Sequence, residues 1–333
     1  MRGSEGRAPA AGSEAISDSV QLQAPGGQRC FAGHRRFGAK ISAMIIGKSY
    51  RGRIAPSPTG YLHLGHARTF WTANERAREH RGTLIFRNED LDPQRSLAKF
   101  AAAMVEDLRW FGIDWQEGPD VGGGFGPYVQ SERREFYLEA WRRLLREGWI
   151  YPCSCSRREL ALAATAPHED APQEADEPIY PGTCRERRLA AESPLGVNWR
   201  FRVPDGEAIE FQDRRMGRHS FEAGRDFGDF LIWRRDDVPA YQLAVVVDDA
   251  AMQVSEVVRG ADLLRSTARQ ILLQRALGLE TPDYYHCDLM NDDKGVRLAK
   301  RHDALSLHGL RRQGLRPEQV RAMSLPHSER KKL

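Results

Sequence analysis

An alternation of strand-like and helix-like segments constrains the fold of this chain more than any other feature. Residues 49–56 and 83–90 carry the short apolar runs of buried strands. Residues 64–81 and 96–111 carry apolar side chains at helical spacing. Two strands that alternate with two helices predict an α/β fold with parallel strands. In such folds the ligand lies at the carboxyl ends of the strands, beside helix N-termini.

The alternation continues through the rest of the chain. Residues 131–148, rich in Arg, Glu and Leu, predict a third helix, and residues 199–203 and 229–234 predict strands. The segment AYQLAVVVDDA at 240–250 predicts a buried strand that ends in two acids. Residues 254–278 predict a short strand followed by a long helix.

Composition limits the class of protein. The chain has 333 residues, of which 41% are hydrophobic and 29% charged, so it can form about two globular domains. It has no apolar run of about 18 residues and no apolar secretory core near its N-terminus, so we expect a cytoplasmic protein. The net charge of +4 permits contact with nucleic acid without requiring it.

The first 43 residues differ in composition from the rest. Residues 1–43 mix Gly, Ala, Ser, Gln and Arg without apolar periodicity, which predicts a disordered tail. Met44 is then an alternative start. A targeting peptide is the other interpretation, but Glu5, Glu14 and Asp18 interrupt it.

The segment RIAPSPTGYLHLGHAR at residues 53–68 places His63 and His66 between the first strand and the first helix. Free N–H groups and the macrodipole of a helix N-terminus favour an anion such as an ATP phosphate. Histidine donors there could stabilise the charge that develops on the α-phosphate when a carboxylate attacks it. A surface histidine pair on a turn is the alternative, and it stays open on these residues alone.

The cysteines indicate a metal site. An odd number, five, does not suit a disulfide framework. Cys153, Cys155 and Cys184 flank a long loop rich in Pro, Ala and Glu, and three thiols near a tight turn predict a tetrahedral zinc site that lacks one ligand. His168 or an acid from residues 169–177 could supply it. Reduced, buried cysteines without metal are the alternative.

Several separated blocks together resemble the glutamate branch of the class I aminoacyl-tRNA synthetases. They are RIAPSPTGYLHLGHARTFWTANERARE, LIFRNEDLDPQRS, AYQLAVVVDDA and VVRGADLLRSTARQ, and the resemblance runs from about residue 49 to 305. His63 to His66 stands as the HIGH signature. The resemblance implies a Rossmann-type catalytic domain over 44–150 and 199–305, with a zinc-bearing, acceptor-binding-like insertion over 151–198. Residues 306–333 are expected to be a short C-terminal tail without an anticodon-binding domain.

The resemblance also implies roles for individual residues. A carboxylate such as Glu89 suits the α-ammonium of glutamate, and an arginine fork such as Arg259 suits its side-chain carboxylate. The implied glutamate-binding residues are Arg53, Ile54, Ala55, Pro56, Ser57, Glu89, Tyr241 and Arg259. The implied ATP-binding residues are His63, Gly65, His66 and Lys300, of which His63, His66 and Lys300 are catalytic. The implied zinc ligands are Cys153, Cys155, Tyr180 and Cys184, in a structural role.

The lysine loop departs from the pattern of the family. Arg297-Leu298-Ala299-Lys300-Arg301 corresponds to the K-M-S-K-S signature. Lys300 can still stabilise a pentavalent phosphate, but Ala299 removes a hydroxyl, which indicates slowed or altered chemistry. A basic surface loop is the alternative.

This chain resembles the truncated branch of the family, in which little follows the lysine loop. The implied reaction is tRNA-independent activation of L-glutamate with Mg²⁺-ATP, followed by transfer of glutamate to the queuosine cyclopentenediol in the anticodon of tRNA(Asp). A tRNA-charging glutamyl-tRNA synthetase and a catalytically silent RNA-binding paralogue are the alternatives. The expected partners are therefore ATP, L-glutamate, queuosine-bearing tRNA(Asp), one structural Zn²⁺ and Mg²⁺, and we expect a monomer that does not contact membranes.

Overall fold

A computed structural model describes residues 49–155, 179–290 and 305–324. The strands are β1 (Arg51–Ile54), β2 (Thr83–Phe86), β3 (Ile150–Cys153), β4 (Asn198–Phe201), β5 (Ala208–Asp213), β6 (Gly217–Glu222), β7 (Phe230–Trp233), β8 (Glu256–Gly260) and β9 (Asp283–Cys287). The helices are α1 (Leu64–Glu79), α2 (Ala98–Phe111), α3 (Arg134–Arg146), α4 (Tyr241–Ala251), α5 (Leu264–Ala276), α6 (Leu307–Arg312) and α7 (Pro317–Ser324).

Four short parallel strands form the centre of the fold. β1 pairs with β2, and β8 pairs with β9, both in parallel. β1 lies beside β8, where the Ser255 N–H donates to the Arg51 carbonyl at 2.9 Å and the Arg53 guanidinium donates to the Val258 carbonyl at 3.0 Å. The carboxyl ends of these strands therefore share one edge, as the alternating sequence pattern predicts.

α1 connects β1 to β2 through a turn that requires glycine. Arg81 has a φ of +49° and Gly82 follows it directly. A Cβ on Gly82 would lie 2.4 Å from the Tyr50 carbonyl oxygen, so another residue at this position would push β1 away. The close approach keeps β2 beside β1 and returns the chain to the edge where the helix begins.

A second sheet is antiparallel and contains the cysteine-bearing strand. β3 pairs with β4, and β4 pairs with β7. Trp141 of α3 packs edge-on against Trp199 of β4, with ring centroids 5.1 Å apart. The sheet extends across the predicted insertion boundary at residue 198, because β4 and β7 lie beyond it.

The sequence predicts α1, α2 and α3 to within three residues of their ends and the existence of α5, but it does not predict α6 or α7 and is wrong about residues 240–250. These residues form α4, a helix, and not a strand. The unbroken run from Leu243 to Val247 is buried on all sides, so its apolar pattern shows neither the helical nor the strand period. Its five residues have the length of a strand, whereas the whole element, with 11 residues, has the length of a helix. The hairpin of β5 and β6, and strands β3 and β9, were not predicted.

The described residues after position 305, up to residue 324, pack against the apolar core beside the parallel strands. Leu307 and Leu310 of α6 and Val320 of α7 are buried in the same apolar cluster as Leu108 and Phe111 of α2. Among the described residues, no helix combines the length and the hydropathy that crossing a bilayer needs. The predictions for residues 1–43, for His168 and residues 169–177, and for the lysine loop with Arg297, Ala299 and Lys300 lie outside the described residues.

Candidate active site

A cavity of about 400 Å³ opens at the carboxyl ends of the parallel strands, beside the N-terminus of α1. Such a volume is typical of a small-molecule site. The sequence-predicted residues that line it are Arg53, Ala55, Pro56, Ser57, His63, Gly65, His66, Glu89, Tyr241 and Arg259. Ile54 is different, because its side chain is fully buried in the apolar core behind β1. The structure thus brings together residues from four separated parts of the chain.

The two histidines lie at the first turn of α1. His63 is the N-cap residue, and its Nδ1 accepts a hydrogen bond of 3.1 Å from the Gly65 N–H. Because that nitrogen accepts, a neutral His63 carries its proton on Nε2. The rings of His63 and His66 stack with centroids 3.8 Å apart. The cap, the two rings and the free N–H groups of the helix together favour an anion at this end of the cavity.

Glu89 follows β2 and is one of the acidic residues that line the cavity, with Asp262 and Asp288. Its side chain is almost fully buried, and Arg87 donates two hydrogen bonds to Glu89 Oε1, at 3.0 and 3.3 Å. Burial raises the pKa of Glu89, while the Arg87 and Arg53 guanidinium groups oppose that shift. A cation near Glu89 would therefore be favoured, because it would stabilise a carboxylate that burial disfavours.

Arg87 and Asp249 are functional candidates that we did not predict. Arg87 is fully buried and donates to Asp249 Oδ1 at 2.8 Å, and Arg53 Nε lies 3.4 Å from the same carboxylate oxygen. Asp249 therefore connects Arg53 with the arginine that holds Glu89. The sequence signal that could have identified Asp249 is the pair of acids near the end of AYQLAVVVDDA. Assigning this segment as a helix would have placed the pair beside β1.

The neighbouring acid has a different environment. Asp248 is fully buried and accepts hydrogen bonds from Arg133 Nε at 2.6 Å, Gln130 Nε2 at 2.7 Å and the Tyr137 hydroxyl at 2.9 Å. These partners belong to α3 and to the turn before it. Asp248 thus anchors α3 to α4, and it does not line the cavity.

Arg259 is the penultimate residue of β8 and places a positive charge in the cavity. Its guanidinium donates to His286 Nε2 at 3.1 Å, to Gln270 Oε1 at 2.7 Å and to Thr267 Oγ1 at 2.7 Å, with a longer bond of 3.4 Å to the Leu263 carbonyl. All four acceptors are neutral. In the part of the chain that the structure describes, Arg259 forms no ion pair, although only 4% of it is exposed. A buried cation of this kind favours an incoming carboxylate.

Tyr241 lies at the mouth of the cavity. It is the first residue of α4, and its side chain is 38% exposed, unlike the rest of that helix. The adjacent Gln242 accepts a hydrogen bond of 3.0 Å from Gln270 Nε2, and Gln270 in turn accepts from Arg259. The helical start of α4 therefore places Tyr241 in the same cavity lining as Arg259.

The cysteine cluster forms a separate site on β3. The sulfur atoms of Cys153, Cys155 and Cys184 lie within 4.8 Å of one another. The Tyr180 hydroxyl lies 3.4 Å from Cys153 Sγ and 3.5 Å from Cys155 Sγ. Two ligands of one tetrahedral zinc, one sulfur and one oxygen, would be about 3.5 Å apart. These four side chains thus have spacings that suit a single metal ion.

The surroundings of the cluster also suit a cation. Cys153 and Cys184 are buried, which protects the thiols from solvent. Burial acts to raise the pKa of Cys184, but hydrogen bonds from Tyr180 and from the Ser154 backbone outweigh it and lower the pKa to about 7. The backbone N–H of Cys184 donates to the Tyr180 oxygen at 2.9 Å, which orients the phenol. The cluster can therefore hold a metal, in agreement with the prediction from the cysteine spacing.

Comparisons with known proteins agree with this geometry. The family model "tRNA synthetases class I (E and Q), catalytic domain" matches residues 49–325. The chain is 50% identical over 274 residues to the glutamyl-Q tRNA(Asp) synthetase of Symbiobacterium thermophilum, covering 81% of this chain and 83% of that protein. It is 43% identical over 276 residues to glutamate–tRNA ligase 2 of Syntrophus aciditrophicus, covering 80% of this chain and 55% of that protein.

A solved structure gives the same result. The chain superposes on a glutamate tRNA ligase from Elizabethkingia meningosepticum, determined in complex with its amino acid, with a TM-score of 0.71 and 30% identity. The superposition covers 83% of this chain and 60% of that one, so this chain spans about three fifths of its length. From the family match and these relatives we conclude that the chain is a ligase that belongs to the glutamate and glutamine class I tRNA synthetases, within their catalytic-domain family.

Proposed function

We propose that this protein activates L-glutamate with ATP in the absence of tRNA and transfers it to queuosine in tRNA(Asp). In the first step, an oxygen of the glutamate α-carboxylate attacks the α-phosphorus of ATP, and pyrophosphate leaves. In the second step, a hydroxyl of the queuosine cyclopentenediol attacks the carbonyl carbon of glutamyl-adenylate. An ester forms and AMP leaves, so the anhydride bond broken in this step is the one made in the first.

The observation that carries the choice of an acidic amino acid is the isolated charge of Arg259. A buried guanidinium with only neutral partners is stabilised when a carboxylate binds to it. Glu89, which lines the same cavity, supplies the opposite charge for an ammonium group. An amino acid with a second carboxylate satisfies both, with Arg53, Ala55, Pro56, Ser57 and Tyr241 as further contacts.

The N-terminus of α1 is the proposed place for the phosphates. His63, Gly65 and His66 would stabilise charge on the α-phosphate by electrostatics, not by proton transfer. Lys300 is proposed to add positive charge from the loop outside the described residues. Mg²⁺ would bind with the ATP phosphates and compensate part of their charge.

The relatives support the choice of acceptor. The Symbiobacterium protein, with 50% identity, has a name that specifies a glutamyl-Q product on tRNA(Asp). A charging enzyme is the second candidate, because relatives at 43% identity are named glutamate–tRNA ligases. We propose the first because this chain covers 83% and 82% of the two relatives with that name, but only 55% and 56% of the two glutamate–tRNA ligases.

The cysteine cluster is proposed as a structural zinc site, with Cys153, Cys155, Tyr180 and Cys184 as ligands. It lies on β3, in the region that we propose as the insertion into the Rossmann-type domain. Three thiolates and a phenolate leave no open coordination position, which is typical of a structural site. The zinc would order the chain between β3 and β4 and would take no part in the reaction.

Glutamate-dependent ATP–pyrophosphate exchange, measured with and without tRNA, tests the first step. Exchange without tRNA is the expected result. Exchange only with tRNA would favour a charging enzyme, and no exchange under either condition would indicate a silent paralogue.

Two modified substrates test the acceptor. Transfer of labelled glutamate should persist on queuosine-bearing tRNA(Asp) that lacks its 3′-terminal adenosine, because the terminal ribose is not used. Transfer should be lost on tRNA(Asp) with guanine in place of queuosine. The opposite pattern would show that the enzyme charges the 3′ end.

A further inference from the structure

A buried side-chain relay stands behind Arg259. His286, on β9, is fully buried between Arg259 and Asp213, the last residue of β5. His286 Nδ1 lies 2.7 Å from Asp213 Oδ2, and His286 Nε2 lies 3.1 Å from Arg259 Nε. Neither Asp213 nor His286 lines the cavity.

The two ends of the relay select the same tautomer of His286. An Asp213 carboxylate can only accept, so His286 Nδ1 must carry the proton and donate it. The Arg259 Nε–H can only donate, so His286 Nε2 must be the acceptor. Burial and the nearby Arg259 charge lower the pKa of His286 to about 4, which agrees with a neutral ring.

Asp213 is itself held in one orientation. Its Oδ1 accepts the backbone N–H groups of Arg215 at 2.9 Å and Met216 at 2.7 Å, in the turn of the β5–β6 hairpin. Hydrogen bonds to the turn and to His286 outweigh burial and lower the pKa of Asp213, so it stays ionised at neutral pH. The hairpin thus supplies a fixed acceptor for the histidine.

We propose that Asp213 and His286 are positioning residues for Arg259. They hold its guanidinium in place through a neutral acceptor, so that its charge remains available to the carboxylate of the substrate. This inference rests on the proposed function, because it assigns Arg259 to glutamate recognition.

The relay explains why the acceptor is a histidine and not an acid. A carboxylate in direct contact with Arg259 would orient the guanidinium equally well, but it would also neutralise the charge. The environment of Arg87 shows that alternative, since Arg87 pairs with Glu89 and Asp249. Inserting an imidazole between Asp213 and Arg259 keeps the orientation and moves the negative charge one side chain away.

Asp213→Asn tests the tautomer. The amide oxygen is required by the two turn N–H groups, so its NH₂ group would face His286 Nδ1 and force the proton onto Nε2. Arg259 would then meet a donor in place of an acceptor. We expect the Kd for glutamate and the KM for glutamate to rise by about tenfold or more, with kcat and the KM for ATP within about twofold.

Asp283→Asn is the matched control for that substitution. Asp283 begins β9, is exposed, and pairs with Arg214 on the surface. Its replacement should leave glutamate binding unchanged, because exposed ion pairs contribute little. Equal effects of Asp213→Asn and Asp283→Asn on the glutamate Kd, measured by calorimetry, would overturn the proposal.

A pair of substitutions at His286 separates positioning from packing. His286→Gln can place an amide oxygen near the position of Nε2 and should keep glutamate affinity within about threefold of wild type. His286→Asn is too short to reach Arg259 and should weaken glutamate binding by about tenfold or more. Equal affinities for the two variants would contradict the proposal.

Nitrogen NMR of the His286 ring in wild-type protein gives an independent readout. We expect a neutral ring protonated at Nδ1, and a shift of the proton to Nε2 in Asp213→Asn. The same tautomer in both proteins would refute the relay. A wild-type protein with the expected tautomer but without glutamate binding by calorimetry would instead reject the proposed function, and with it the assignment of the relay to glutamate.

Discussion

The cavity at the parallel strands and the cysteine cluster at the end of β3 both contain polar side chains from distant parts of the chain. They differ in how closely these side chains contact one another. In the cavity, Arg259 is buried with neutral partners and Glu89 is buried with a raised pKa. In the cluster, the Tyr180 hydroxyl lies 3.4 Å from Cys153 Sγ and 3.5 Å from Cys155 Sγ. The first arrangement leaves charge available to a ligand, whereas the second closes around one.

This difference separates a site for turnover from a site for structure. Substrates must enter and leave, so their binding residues are held by other protein groups while some of their charge stays unpaired. A structural metal must not leave, so its ligands surround one point and are shielded from solvent. The same contrast predicts how variants in the two regions should behave.

The largest effect on glutamate binding is expected at Arg259. Arg259→Gln should raise the KM for glutamate by about 30-fold or more, since losing a buried charge-assisted contact costs about 2–5 kcal/mol. The exchange assay measures it. Arg218→Gln is the control, because Arg218 is exposed on β6 and pairs with Glu210 on the surface. Similar KM values for the two variants would remove Arg259 from glutamate recognition.

Removing a thiol should act on metal content and stability. Cys184→Ser should reduce zinc affinity by at least about 100-fold, so that a chelator strips a metal that wild-type protein retains at about one per chain. The loss should also lower the thermal midpoint. Cys287→Ser, at the buried end of β9 and outside the cluster, should keep its zinc. Metal-free wild-type protein of unchanged stability would contradict the zinc assignment.

The third prediction concerns the pH dependence of glutamate binding. Because burial raises the pKa of Glu89, its carboxylate is lost at a higher pH than that of an ordinary glutamate. The KM for glutamate should therefore rise as the pH falls through this raised pKa, by up to about tenfold per pH unit. Glu89→Gln should show a high KM without this pH dependence. A profile that is the same in both proteins would show that Glu89 is not the counterion.

The smallest effect is expected at Tyr180. Tyr180→Phe should weaken zinc binding by about tenfold, since three thiolates remain and water can take the fourth position. Competition with a chromogenic chelator measures the change. Tyr151→Phe also removes a buried hydroxyl, which donates to Asp229, but it lies outside the ligand set and should not alter zinc affinity. An unchanged affinity in Tyr180→Phe would show that the fourth ligand is another group.

The strand and helix pattern predicted the first two strands and helices well. β1, α1, β2 and α2 follow local signals, namely apolar runs and helical spacing, so their order and their shared edge could be predicted. The later strands were harder, and β9 of the parallel centre was not predicted. The hairpin of β5 and β6 is held by the antiparallel pairing of its two strands and by the parallel pairing of β5 with β9.

The error at 240–250 shows where local reasoning fails. An unbroken apolar run does not alternate apolar and polar residues, so its pattern does not distinguish a strand from a helix. The segments that pack against it decide between the two. As a helix, α4 places Tyr241 at the cavity mouth, Asp248 against Arg133 and Asp249 against Arg87. Arg87 also lies 3.7 Å from Asp248, so it contacts both acids. The sequence showed the two acids but not these partners.

By itself, the sequence determined the α/β class, the histidine segment at the start of the first helix, the family resemblance and the three thiols that could hold a metal. These features are local, or they repeat along the chain with a period set by the backbone. Only the tertiary structure decided that Arg259 has neutral partners, that Arg87 and Asp249 connect Glu89 to Arg53, and that Asp213 reaches Arg259 through His286. The physical reason is that burial and charge compensation depend on side chains from distant segments, which meet only when the strands pair.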